Sequence, residues 1–186
     1  MSNRPAPRPL AHLASLALLL VAVGCDRDPP ATSTAAASPA AQETQADLIA
    51  RGEYLVRVTG CNDCHTPGYA EQQGDVDHAL WLTGSPLGYR GPWGTTYATN
   101  LRLRLADMDE AQWLAFSGSL RTRPIMPDFA LRAMSEDDRR AMFHFIKSLG
   151  PGGEPAPAYL PPGQAPQPPY FELVMPAGAP ATVGAP

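Results

Sequence analysis

Proline constrains this chain more than any other residue, because it removes a backbone donor and breaks the interiors of helices and sheets. Of the 22 prolines in 186 residues, six fall in residues 1–45 and eleven in residues 151–186. Only five remain for residues 46–150. A packed core of regular elements is therefore expected at residues 46–150. It is flanked by a flexible linker at residues 26–45 and an extended Pro-rich tail at residues 151–186.

Residues 1–25 read as an export signal. Arg4 and Arg8 are followed by the apolar run LASLALLLVAV (Leu13–Val23), too short to span a bilayer comfortably. The run ends in AVGC (Ala22–Cys25), which resembles a bacterial lipoprotein cleavage box with Ala22 where leucine is usual. On that reading Cys25 is lipidated, and Asp26 beside it resembles an inner-membrane retention signal, so the expected location is the bacterial periplasm, anchored to the inner membrane. Ordinary cleavage and an uncleaved anchor are the alternatives. The small, polar linker would reach about 25 Å as a random coil. The formal charge is −4, and removing Arg4 and Arg8 leaves 12 basic against 18 acidic residues. An acidic chain with one lysine, Lys147, is a poor nucleic-acid binder, and none is expected as partner.

Three proline-free windows carry helix signals. In ADLIARGEYLVRVTG (Ala46–Gly60), Leu48, Leu55 and Val58 fall near one face and Gly60 can end the helix. Gly52 costs about 1 kcal/mol against alanine in mid-helix, which close approach by another helix would justify. In Ala106–Leu120, Asp107 with Glu110 has capping-box spacing, and Trp113 and Phe116 share a side. From Ser135 to Gly150, Ser135 with Asp138 repeats that signal. Met142, Phe145, Ile146 and Leu149 form its apolar stripe. No period-two strand is evident, so the expected class is all-α, three to five helices joined by long loops. Those loops are rich in Gly, Pro and aromatics and need something to pack on; a large flat cofactor would serve. No assignment follows for the stretch between Pro67 and Leu82.

The densest chemistry is CNDCH, Cys61–His65. A structural zinc site needs four ligands, commonly two close pairs, and no second pair exists. A thioredoxin-like CxxC wants a βαβ setting. A disulfide is compatible with export but leaves His65 without a role. Haem c attachment uses all three residues: Cys61 and Cys64 form thioethers with the vinyl groups, and His65 is held under the iron. For the sixth ligand, Met108, Met134 and Met142 lie in or beside helices, where core packing is the ordinary role. Met175 lies in the tail. Met126, in RTRPIMPDF, stands between Pro124 and Pro127, whose fixed φ angles stiffen its loop.

Helix, CxxCH, loop, methionine between prolines and final helix together resemble a class I, single-haem, His/Met bacterial c-type cytochrome. GPWGTTYATNL and PIMPDFALRAMSEDDRRAMFHFIKSLG are also similar to haem domains in cytochrome subunits of membrane-bound dehydrogenases. The resemblance covers residues 46–150 and implies a cytochrome c-like fold around one covalent haem, with His65 and Met126 as iron ligands. LTGSPLG resembles the loop whose proline carbonyl accepts the proximal histidine's other N–H, here Pro86. Tyr97, Asn100 and Trp113 resemble the set around the haem propionates and the methionine, with ordinary packing as the alternative. Gly52 matches the crossing of first and last helices. Arg102, Arg104, Arg121 and Arg123 would pair with propionates, form a docking patch, or simply be solvated.

The expected function is a tethered one-electron carrier, not an enzyme in itself. Its partners would be a membrane oxidase, reductase or dehydrogenase, with the membrane reached through the lipid anchor or uncleaved signal. The rivals are a dedicated cytochrome subunit of a dehydrogenase or oxidase complex, a small-ligand-binding haem protein if Met126 is not a ligand, and a non-haem module with a Cys61–Cys64 disulfide. The tail, with Tyr159, Tyr170 and Phe171, either wraps the domain, meets a partner or is disordered.

Overall fold

A computed structural model describes residues 43–174 together with Pro176 and Gly178. Cys25 and Met175 lie outside the described residues. Helix α1 (Gln45–Val58) starts at Thr44, whose hydroxyl accepts from the Asp47 N–H while the Asp47 carboxylate accepts from the Thr44 N–H. Helix α6 (Glu136–Ser148) starts at Ser135, with three acidic residues in its first turn and Lys147 in its last, the order that suits the helix dipole. These two helices pack against each other through Gly52 and Val56 on one side and Ala141 and Phe145 on the other. A Cβ at Gly52 would run into the Ala141 carbonyl oxygen and lie 2.6 Å from Phe145 Cβ, so only glycine permits this separation. An Arg51–Asp138 ion pair at 2.6 Å closes the edge of the crossing.

Helix α4 (Glu110–Ser119) is capped by Asp109 with Gln112, two residues beyond the expected start. Asp107 lies in a turn, because the chain is still unwinding from the short helix α3 (Leu101–Arg104), with Met108 N–H bonded to Leu105 O. The stretch after Pro67 supplies core. It runs through turns and a 3₁₀ turn at His78–Leu80, then buries Trp81 and Leu82. The Trp81 indole N–H donates to Val76 O at 3.0 Å, and its ring meets Phe145 edge-on. Two more short helices complete the set, α2 (Cys61–His65) and α5 (Asp128–Ala133).

The all-α expectation is overturned. A three-stranded mixed sheet accompanies six helices, which also exceeds the expected three to five. Strands β1 (Gly88–Gly91) and β2 (Gly94–Tyr97) form an antiparallel hairpin, and β3 (Tyr170–Glu172) joins the other edge of β1 in parallel, Gly88 opposite Tyr170. Strands of three or four residues are too short to display alternation, and β3 owes its existence to a partner strand distant in sequence. The tail therefore wraps the domain. Earlier along it, Leu160 exchanges two backbone hydrogen bonds with Thr95, so the tail grips the hairpin from both edges. Gly94 has φ +98°, and a Cβ there would collide with the Leu160 carbonyl oxygen.

Candidate functional site: a cavity behind CNDCH

Helix α1 stops at Val58, and Gly60, in the left-handed region at φ +73°, swings the chain into α2. Helix α2 is anchored from behind: Thr66 Oγ1 donates to Asn62 Oδ1 at 2.7 Å and accepts from the Leu82 N–H at 2.8 Å. Cys61 and Cys64, one turn apart, share a helix face. Both are free thiols and half-buried. Burial pushes the Cys61 thiol up from its ordinary value, outweighing the Thr59 hydroxyl, which acts in the other direction. The Tyr89 hydroxyl is 3.6 Å from Cys64 Sγ, and burial followed by that thiol raises the phenol's own pKa.

His65 is buried, and its Nδ1 lies 2.7 Å from the Thr99 carbonyl oxygen. A carbonyl can only accept, so Nδ1 carries the proton and Nε2 keeps its lone pair. Burial lowers the His65 pKa, partly opposed by the Thr99 contact. The ring is thus a neutral base of fixed tautomer.

Cys61, Cys64 and His65 line a cavity of about 700 Å³. Its wall takes Val56 from α1, both cysteines and His65 from α2, Tyr89 and Tyr97 from the hairpin, Trp113 and Phe116 from α4, and Met142 and Ile146 from α6. Met126 closes the far side, 36% exposed on its outer surface. The Met126 loop is fixed at its ends. The Thr122 N–H and hydroxyl both donate to Asp128 Oδ2, at 2.6 and 3.2 Å, and Asp128 Oδ1 receives Arg132. Burial alone would raise the Asp128 pKa, but these donors outweigh it and hold the carboxyl below its ordinary value. Thr96 Oγ1 donates to Pro124 O at 3.0 Å, tying the loop to β2.

The other expected site residues divide. Tyr97 and Trp113 line the cavity, although the Trp113 indole N–H is committed to Arg139 O at 2.7 Å in α6. Asn100 does not reach it. Its amide N–H donates to Gly152 and Glu154 carbonyls and its Oδ1 caps α3, so it is a tie between α3 and the tail. Pro86 lines a separate hollow of about 180 Å³ with Asp63 and Glu71, and the acceptor that His65 uses is Thr99. Arg102 caps the end of α6 through the Leu149 and Gly150 carbonyls. Arg104, Arg121 and Arg123 line the cavity and form no ion pair among the described residues. Of the other methionines, Met108 and Met134 pack against the core, while Met142 serves both core and cavity wall.

Three contributors carried no sequence signal. The Thr99 carbonyl is backbone, Tyr89 depends on the hairpin, and Tyr159 reaches the cavity only because the tail folds back. Chemically, the cavity offers two thiols, one neutral imidazole and two thioethers, Met126 on a loop and Met142 packed into the core, around a mostly apolar volume. Among the described residues, no group of three or more His, Cys, Asp and Glu side chains is arranged to hold a metal ion. No protein-family model, curated protein or solved structure matches the chain.

Proposed function

We propose that this chain is a c-type cytochrome that holds one haem through Cys61 and Cys64, ligates it with His65 and Met126, and works as a one-electron carrier. The observation that carries the proposal is the lining of one cavity, about 700 Å³, by both CNDCH thiols, the imidazole and Met126 together. The residues fit a large, flat, mostly apolar group. Val56, Trp113, Phe116 and Ile146 supply apolar walls, and the volume lies within the range of ligand and cofactor sites.

The bound haem would supply a one-electron iron couple at low reorganisation cost. The protein's part is to tune and position. Thr99 holds the proton on Nδ1, which orients the imidazole and increases its donor strength at Nε2. Met126 offers a soft, neutral thioether, which favours ferrous iron and raises the potential. The Thr122–Asp128 link holds that thioether's loop closed. Arg104, Arg121 and Arg123 provide cations for propionates or for an acidic partner. With the N-terminal signal, the reading extends to an exported carrier. It is tethered to the bacterial inner membrane by lipidated Cys25 or an uncleaved signal, and it exchanges electrons with a membrane oxidase, reductase or dehydrogenase. Among the described residues no helix is long and apolar enough to cross a membrane.

The partial exposure of Met126 keeps one rival in view, a haem whose sixth position takes a small ligand. Expression in a host that attaches haem c separates the two. Covalent haem after denaturation and a low-spin spectrum unmoved by CO support the carrier. Prompt CO binding by the native chain would select the rival, and absence of covalent haem would refute both. Met126→Ala should retain covalent haem and gain CO binding.

A further inference from the structure

The Pro-rich tail forms one wall of the cavity, through Pro157, Ala158 and Tyr159. It is pinned there by three contacts. The Tyr159 hydroxyl donates to the Trp93 carbonyl at 2.9 Å. Leu160 exchanges hydrogen bonds of 2.8 and 3.0 Å with Thr95. The Arg123 guanidinium lies 3.7 Å over the Tyr159 ring. Arg123 precedes Met126 by three residues, in the same loop. On its other flank that loop is tied to β2 by the Thr96–Pro124 bond. Its outward side is solvent, with Ile125 42% and Met126 36% exposed.

The loop is thus gripped from two sides, by the hairpin and by the tail. Prolines at 155, 157, 161 and 162 keep this part of the tail extended before it docks, so fixing it costs little further entropy. A tyrosine presents a broad face to a guanidinium and a hydroxyl to a carbonyl from one rigid ring.

We infer that residues 157–161 are a strap that holds the Met126 loop over the cavity, with Tyr159 as a positioning residue acting through Arg123. The role of Met126 as an iron ligand rests on the function proposed above; the mechanical role of the strap does not. Two variants test it. Tyr159→Ala removes the ring and its hydroxyl. Arg123→Gln removes only the cation, leaving the tail bonded through Leu160.

Amide hydrogen exchange at Thr122 and Asp128, the two ends of the loop, is measured on the chain as expressed, with or without haem. Both amides should exchange about tenfold faster in Tyr159→Ala and severalfold faster in Arg123→Gln, the worth of a cation–π contact with and without a hydrogen bond. Tyr159→Phe should restore most of the protection. In chain carrying haem, CO association should rise by a similar factor in the same order, a change that general destabilisation at constant loop geometry would not produce. Exchange at Thr122 and Asp128 unchanged in both variants would overturn the strap, whatever the haem content. Accelerated exchange in a chain without covalent haem would keep the strap and refute the haem. Accelerated exchange with haem present but CO association unchanged would overturn the positioning of Met126.

Discussion

Replacing Gly52 by alanine tests the α1–α6 crossing that carries the wall behind CNDCH. In most helices the change would stabilise by about 1 kcal/mol, because glycine is the weaker helix former. Here the new Cβ would meet the Ala141 carbonyl oxygen, with Ala141 C at 2.7 Å and Phe145 Cβ at 2.6 Å. All three atoms belong to the backbone of α6 or its first side-chain atom, so no rotamer change clears them and the helices must separate. Overpacking of this kind costs 1–3 kcal/mol, and a rigid neighbour puts it at about 3. Net of helix propensity, Gly52→Ala should destabilise by about 2 kcal/mol, or on the order of 10 °C in Tm for a domain near this size. Gly118→Ala in α4 is the matched control. Its Cβ would meet only Arg139 Nη1, at 2.6 Å, the far end of a flexible side chain. It should be close to neutral. Thermal unfolding followed by helical circular dichroism, at equal haem content, reads both. Equal shifts in the two variants, or a Gly52→Ala chain as stable as its parent, would refute the crossing.

Asn100→Ala should cost about 2–3 kcal/mol, through the lost α3 cap and the tail carbonyls left unpaired. In chain that carries haem as proposed, it should leave the spectrum unchanged, because Asn100 does not line the cavity; denaturant titration and spectroscopy check the two halves. Trp113→Phe removes the indole donor to Arg139 O and should cost about 1–2 kcal/mol by denaturant titration. Stability should fall on acidification below the ordinary carboxylate range. Ser135 and Arg51 hold the Asp138 carboxyl below its ordinary value of 3.8, and Arg140 and His144 do the same for Glu110. A depressed carboxyl stabilises the fold above its unfolded pKa and loses that contribution as pH falls through the folded one. Asp138→Asn should flatten the unfolding midpoint between pH 5 and 3, and an unchanged slope would count against the Arg51–Asp138 link.

The helices that could be read from the sequence are those whose determinants are local. Proline-free windows with caps and apolar stripes correspond to α1, α4 and α6, and Gly52 marked their closest approach. Ser135 was legible as a cap because its side chain acts three residues away, while Asp107 was a plausible cap displaced by a turn that only the packing of α3 explains. Cys61, Cys64, His65 and Met126 were legible because their chemistry is unusual and their spacing informative, and the fold brings all four to one cavity. What could not be read was set by distant partners. The hairpin offers four residues a side, β3 pairs with a strand eighty-two positions earlier, and the His65 acceptor is a backbone carbonyl with no residue-type signature. Pro86 and Asn100 show the limit of pattern matching: each occupies the expected stretch, and each points elsewhere.

The pairing of β3 with β1 also divides the tail into two separately fastened parts. Leu160 is bonded to Thr95 on one edge of the hairpin, and Tyr170–Glu172 lies along the other. Only the first fastening adjoins the cavity, through Pro157, Ala158 and Tyr159. A chain ending shortly after Leu160 would therefore lose a strand of the sheet and keep its cavity wall.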